Sequence, residues 1–485
     1  MPARGYCLRN QVFAHFATVL KPQESIPMYL SEARITDIAQ LRDRIWGEVI
    51  TPYDSNWDEA RQVFNLTTDQ QPAAIVYAES AEDVAAAVRF ARKHDMRVAP
   101  QTTGHNAGPL TPNLENTLIV KTTRMKGVEI NTESRIARVQ AGTVWGEVTA
   151  RLEGTGLAAL HGSSPTVGVV GYSLTGGVGF QARKHGMQVN HITAIELVNE
   201  FGETIRASED VHPDLFWALR GGGGNFGVVT AMEFSLVSTP QVNAGMLIWP
   251  WEEAEAVFET WLDMLPQLPE EFTTTCRLIQ MPPLEEIPEF LRGRQLVIFN
   301  GAYLGDREDA AKLLAPLLAL NPEINTFDDV DASALAFLHL DPEDPMPYAA
   351  DHMLLELIDT PTVKELVAAA GPGSGSPMAV VELRHTGGAL SRCIPGSGAR
   401  CRLPGQLLYF TVGALMPGLP PEALDAQAAK VRTILEPHQA EQNYLNFSEQ
   451  PGTLADFFDP HTMKRLKKIK AEYDQGGVFQ GNFEL

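Results

Sequence analysis

From residue 75 the apolar and polar positions fall into short alternating units. The run Ile75-Val76-Tyr77-Ala78 predicts a strand, and Ser80 with Asp83 predicts the capped start of a helix whose apolar face is Val84, Ala87, Val88 and Ala91. Residues 97–99 return as a strand that runs directly into Gln101-Thr102-Thr103-Gly104-His105-Asn106-Ala107-Gly108. Further strands are predicted at 118–120 and 136–139, and a helix carries Trp145, Val148 and Leu152 until Gly154 and Gly156 stop it. Residues 192–198 and 204–206 flank a Phe201-Gly202 turn and predict a hairpin. A helix over 214–219 enters four consecutive glycines, and a strand follows over 228–236. Beyond Trp249 the units lengthen. Helices are predicted at 252–264, 309–320 and 422–435, with strands at 273–279, 296–303, 379–383 and 407–412.

This order gives an α+β fold with more than one unit. The 485 residues exceed a typical domain, and the change of texture near Pro240 separates the units. The divisions expected are an N-terminal extension over 1–30, a first domain over 31–240, a second over 241–440 and a returning segment over 441–485.

Composition narrows the function class. Hydrophobic residues make up 44% and charged residues 20%, which suits a globular enzyme. A formal charge of -22 with no offsetting basic block argues against nucleic acid and anionic membranes as partners. No apolar run approaches a membrane span, and no metal-binding spacing occurs among the four cysteines. Cys393 and Cys401 lie close enough to pair, but the expectation is a reduced pair in a cytoplasmic protein.

Candidate chemistry sits in four glycine-rich loops of the first half: 101–108, 162–168, 176–179 and 220–230. Gly222-Gly223-Gly224-Asn225-Phe226-Gly227 formally fits the dinucleotide pattern GxGxxG. That pattern binds a pyrophosphate when a strand precedes it and a helix follows. Here a helix precedes and a strand follows, so a Rossmann site is rejected. Four permissive loops nevertheless suit one large ligand approached closely by backbone.

Taken together in order and spacing, the segments from Pro72 to Leu236, with Asn443-Tyr444-Leu445-Asn446-Phe447 and Ala471-Glu472-Tyr473-Asp474 near the end, resemble the vanillyl-alcohol-oxidase superfamily, in particular its berberine-bridge-enzyme-like branch. The resemblance implies a two-subdomain PCMH-type FAD-binding domain and a substrate domain whose antiparallel sheet is covered by helices. It implies FAD bonded covalently through the imidazole of His105, with Thr102, Thr103, Gly104 and Asn106 around the pyrophosphate. Ser164, Thr166, Val167, Gly168, Gly171, Gly177 and Gly179 are implied at the flavin and ribityl chain, and Asn225, Gly227, Val228 and Asn446 at further cofactor contacts. Some relatives bear a second, cysteinyl flavin bond in the segment that reads Ser164-Pro165-Thr166-Val167-Gly168 here. A serine cannot take that part, so a single covalent link is expected. Val167 falls where the family gates oxygen.

For catalysis the resemblance points to Tyr444 as base, since Phe447 replaces a tyrosine found in many relatives. Alternation along 407–413 puts Tyr409, Thr411 and Gly413 on one face, which makes Tyr409 the second candidate. Arg384 and His385 are candidates for lowering a tyrosine's pKa, and Tyr303, Tyr348 and His352 for lining the substrate site. The expected activity is removal of a hydroxyl proton with hydride transfer from a small-molecule alcohol, a sugar or a secondary metabolite, to FAD, and reoxidation by molecular oxygen to give hydrogen peroxide. A flavin dehydrogenase with another acceptor, or a flavin-retaining binding protein, are the alternatives.

Overall fold

The computed structural model describes residues 32–485 apart from positions 240, 284, 286, 288 and 417. The expected extension over 1–30 lies outside the described residues. The first sheet orders Glu48–Ile50, Ala74–Tyr77, Thr117–Lys121 and Arg97–Gln101, the last three parallel. Helix Ala81–Lys93 makes the crossover, and the Ser80 hydroxyl accepts from the Asp83 amide at 3.2 Å to cap it. Its predicted face, Val84, Ala87, Val88 and Ala91, is fully buried and packs in one core with Val198 and Val228 of the neighbouring sheet.

That second sheet is antiparallel and five-stranded: Val128–Asn131, Ile136–Gln140, Val228–Ser235, Ile192–Val198, Thr204–Ser208. The predicted hairpin turns at Gly202, whose φ of +72° favours glycine. Helix Pro213–Gly222 precedes the glycine loop and strand Val228–Ser235 follows it, the reverse of a Rossmann turn.

The third sheet has eight strands. Its main path runs Ile324–Asn325, Val242–Pro250, Gln295–Tyr303, Phe272–Gln280, Val380–His385, Leu407–Ala414, Tyr348–Leu355, all antiparallel. Helices Ala254–Met264, Arg307–Leu318, Thr360–Ala370 and Pro421–Leu435 cover one face through Phe258, Trp261, Leu314, Leu366 and Val431. The other face looks toward the first two sheets and roofs a cavity.

The chain's last residues return to the first sheet. The Val98 amide donates to Val478 O at 2.7 Å, the Gln480 amide donates to Val98 O at 2.9 Å, and Lys470 Nζ donates to Asn225 O at 2.6 Å. Cys393 and Cys401 form a disulfide, which corrects the expectation of two reduced thiols. Their Cα atoms stand 4.8 Å apart, within the range a disulfide spans. Among the described residues no helix is long and apolar enough to cross a membrane.

Candidate active site

Between the roof and the two smaller sheets lies a connected cavity of about 2770 Å³. Pockets for drug-sized ligands run to roughly 300–1,000 Å³, so this one has room for a dinucleotide and a second molecule. The histidine loop forms one wall. Gly104 takes a φ of +74°, and a Cβ there would lie 2.8 Å from Val63 Cβ, so the turn needs glycine. Thr102 Oγ1 donates to Ala141 O at 3.1 Å, and Asn106 Nδ2 donates to Ser448 O at 2.7 Å. The loop is thereby tied to a strand end on one side and to the returning C-terminal segment on the other.

His105 has Nδ1 2.8 Å from Thr103 Oγ1 and Nε2 3.4 Å from Thr166 Oγ1, and its ring stacks on Phe64 with centroids 3.8 Å apart. Burial lowers its pKa to about 3, which keeps the imidazole neutral and its ring nitrogen lone pair available. Thr166 does not line the cavity. It acts on the histidine and on Ser164, whose Oγ lies 3.1 Å from Thr166 Oγ1.

Thr102, Thr103, Gly104, His105, Asn106, Ser164, Val167, Gly168, Gly171, Asn225, Gly227 and Asn446 all line the cavity. A Cβ built on Gly171 meets nothing within 4 Å among the described residues, so that helix presents bare backbone to the space. Asn446 Nδ2 donates to Tyr172 O at 3.0 Å, while its buried Oδ1 has no partner among the described residues. An open glycine cradle and an orphaned acceptor fit FAD, whose flavin ring offers an N–H donor. Gly171→Ala is expected to leave the fold intact, since alanine favours the helix by about 0.5–1 kcal/mol over glycine. The added methyl should cut the flavin content per chain; a full flavin complement in that variant would remove Gly171 from the cradle.

Three residues expected at the cofactor, Gly177, Gly179 and Val228, lie outside the cavity lining. A Cβ on Gly177 would lie 2.5 Å from the Tyr172 ring, one on Gly179 would lie 1.8 Å from His161 O, and Val228 is fully buried between the sheets. At Gly177 and Gly179 protein atoms occupy the space a side chain would need, which is reason enough for glycine there. Gly179→Ala should therefore destabilise strongly; a melting temperature equal to that of the parent would contradict this packing.

The roof supplies the polar chemistry. Strand register places Arg277, Glu382 and Phe410 in one row, with Arg384 one step along on the same face. Glu382 is 3% exposed; its Oε1 accepts from Arg384 Nε at 2.8 Å, and its Oε2 lies 3.6 Å from His339 Nδ1. Burial, with Arg277 and Arg384 nearby, holds His339 well below the usual imidazole range. Burial pushes the Asp341 carboxyl up, and that carboxyl accepts from Ser163 Oγ at 2.8 Å, joining the second glycine loop to the roof. Phe447 stands between, 5.0 Å from the Phe410 ring and 5.6 Å beneath the Arg384 guanidinium.

The two predicted tyrosines fare differently. Tyr444 lines the cavity, but it is 1% exposed and its hydroxyl accepts from the Gly177 amide at 3.0 Å. Burial raises its pKa despite Arg384 and Arg400 nearby, the wrong direction for a base. Tyr409 is corrected outright. Its register partners Leu383 and Met353 belong to the helix-covered core, so it points away from the cavity, and Phe410, Val412 and Ala414 face inward instead. His385 shares that far face, with Nε2 2.7 Å from Arg183 Nη1. Of the suggested lining residues, Tyr348 lines the space, whereas Tyr303 packs on Phe272 and His352 lies behind, its Nε2 3.2 Å from Ser448 Oγ.

Sequence reasoning missed Glu382, Arg277, His339 and Glu449. The signal for Glu382 was a charge in the middle of an otherwise apolar strand pattern, Val380-Val381-Glu382-Leu383. Tyr348 OH donates to Glu449 Oε1 at 3.2 Å, and burial raises the Glu449 carboxyl to about 7.

Buried imidazoles also weaken the fold in acid. Burial lowers His352 to about 3 and lowers His385 as well, whereas in the unfolded chain both take protons near ~6.5. Their contribution is complete above the unfolded value and is lost as pH falls toward the folded one, at up to about 1.4 kcal/mol per pH unit for each. Glu449, raised, opposes this below about 7. The urea midpoint should be lower at pH 5.5 than at pH 7.5; a higher one would mean that the carboxyls outweigh the imidazoles.

The model of the FAD binding domain family matches residues 72–208. The chain is 27% identical over 470 residues to (R)-6-hydroxynicotine oxidase of Paenarthrobacter nicotinovorans, covering 91% of this chain and 97% of that protein. Matched stretches span 60% of the length of one curated relative and 97% of two others. Among solved structures, berberine-bridge-enzyme-like 1 of Physcomitrella patens superposes with a TM-score of 0.79 at 19% identity, over 92% of this chain and 98% of that one. Glucooligosaccharide oxidase of Acremonium strictum, described with 6-S-cysteinyl, 8α-N1-histidyl FAD, gives 0.76 at 21% identity over 92% and 98%. Residues 72–208 thus match a FAD-binding domain, and the chain as a whole has the fold of the berberine-bridge-enzyme-like structures and is similar over nearly its whole length to an oxidase of the FAD-linked kind.

Proposed function

We propose that the protein is an oxidase that holds FAD through a single covalent bond to His105 and oxidises a hydroxyl-bearing small molecule to the carbonyl, with hydrogen peroxide as the second product. The observation that carries this reading is one cavity with a neutral, recessed imidazole on one wall and a buried carboxylate, Glu382, on another. Thr102, Thr103, Gly104 and Asn106 would hold the pyrophosphate with backbone amides, Gly168 and Gly171 would admit the flavin, and Asn446 Oδ1 would accept from its ring. When bound, FAD takes two electrons from the substrate and passes them to molecular oxygen.

The chain's own residues handle the proton. Glu382 accepts it from the substrate hydroxyl, and Arg384 holds the carboxylate in place. Tyr444 fixes the Gly177 amide and so the turn beneath Tyr172. Phe410 and Phe447 keep water from the carboxylate. Ser164 stands where some relatives carry the second, cysteinyl link, which supports a single bond. The disulfide is of a kind that oxidising compartments sustain. The test of the acceptor is to reduce the bound flavin anaerobically and admit air. Reoxidation within seconds, with one peroxide per flavin, supports an oxidase; flavin that stays reduced for minutes points to a dehydrogenase.

A further inference from the structure

The inward face of the roof is divided. Two residues along each strand from the charged row, about 7 Å away, the same face becomes apolar on three strands: Ile279 follows Arg277, Val380 precedes Glu382, and Val412 follows Phe410 with Ala414 beyond, where Tyr348 lies beside it with its hydroxyl donating to Glu449. Met281 and Leu291 continue this surface toward the cavity mouth. Gln280 also reaches the cavity, but its amide nitrogen donates to Ser376 O and to Met378 O, each at 2.7 Å, and its oxygen accepts from Gln295. Among the described residues, the polar side chains of the roof's outer half, Gln280 and Tyr348, are both already hydrogen-bonded within the protein. The acidic residues Glu285, Glu343 and Asp344 stand exposed at the rim and disfavour anions.

Resting on the proposed function, we infer that the substrate is a neutral amphipathic alcohol, not an oligosaccharide: its hydroxyl lies at the Glu382 end and an apolar body of several carbons lies along Ile279, Val380, Val412 and Ala414. A sugar chain there would lose water from hydroxyls that meet only alkyl groups, an uncompensated cost. An alkyl or aryl body releases water from both surfaces.

The test is a titration of the purified holoenzyme, without oxygen, with the primary alcohols from 1-butanol to 1-octanol and with cellobiose. Perturbation or bleaching of the flavin spectrum is the readout. Affinity should rise about three- to fourfold per methylene, and cellobiose should give no change at matched concentrations. Val412→Asn should flatten the slope without lowering the flavin content. A flat series in the parent enzyme, or cellobiose bound more tightly than 1-octanol, overturns the inference whether or not the variant folds. Flavin content, read first on the same sample, separates the two failures: flavin present with a flat series sinks only the substrate class, and flavin absent sinks the cofactor reading on which it rests.

Discussion

Glu382→Gln is expected to reduce the rate of anaerobic flavin reduction by about 10²- to 10⁴-fold, the range that a positioned acid or base contributes, while leaving flavin content unchanged. Glutamine keeps the shape and still offers an oxygen to Arg384 Nε, which now donates to the carboxylate at 2.8 Å. Glu382→Leu should add a second defect. It strands Arg384 and Arg277, both buried, without the carboxylate that faces them, at roughly 3–5 kcal/mol for breaking a buried pair. The comparison that decides the assignment is Tyr444→Phe. That change removes the acceptor of the Gly177 amide, worth about 1 kcal/mol, and should slow reduction far less. If rapid mixing instead shows Tyr444→Phe crippled and Glu382→Gln nearly normal, the tyrosine takes the proton and the carboxylate only orders the arginines.

The second large effect is at His105. His105→Ala removes the ring that stacks on Phe64 and contacts Thr103 and Thr166. The fold should tolerate this, because the loop is held independently by Thr102 and Asn106. Loss of the ring pair is worth about 0.5–1.5 kcal/mol. Flavin bound by the variant should pass through a membrane filter after denaturation, and its reduction potential should fall relative to the parent. Flavin that still stays with denatured His105→Ala would place the bond on another residue.

Local rules were sufficient where one face of an element is buried and the other wet. Helix Ala81–Lys93 and the strands before and after it follow from their apolar spacing and the Ser80 cap. The glycine loop over 220–227 could be read as non-Rossmann because the order of helix and strand is itself a sequence property. Position relative to the cavity was less legible. Gly177 and Gly179 look like ligand glycines in a string of letters, yet Tyr172 and His161 come from other segments to fill the space beside them. The strand Leu407–Ala414 was recognised, but alternation gives two faces and not which one is covered by helices; Tyr409 fell on the covered side. Tyr348–Leu355 was not recognised as a strand, since Asp351 and His352 interrupt its apolar pattern. Val242–Pro250 is buried almost throughout and carries no alternation at all. The charged row on the roof was legible only as isolated charges in apolar strands. Arg277 and Glu382 become neighbours only through pairing of strands about a hundred residues apart in the chain.

The most direct test of the central claim is the mass of the peptide that contains His105 after acid precipitation and proteolysis of the purified protein. A yellow pellet, and a peptide heavier by one FAD with the modification on the imidazole, is the predicted result. A colourless pellet with the unmodified peptide, from a preparation that was yellow before acid, would contradict the covalent assignment.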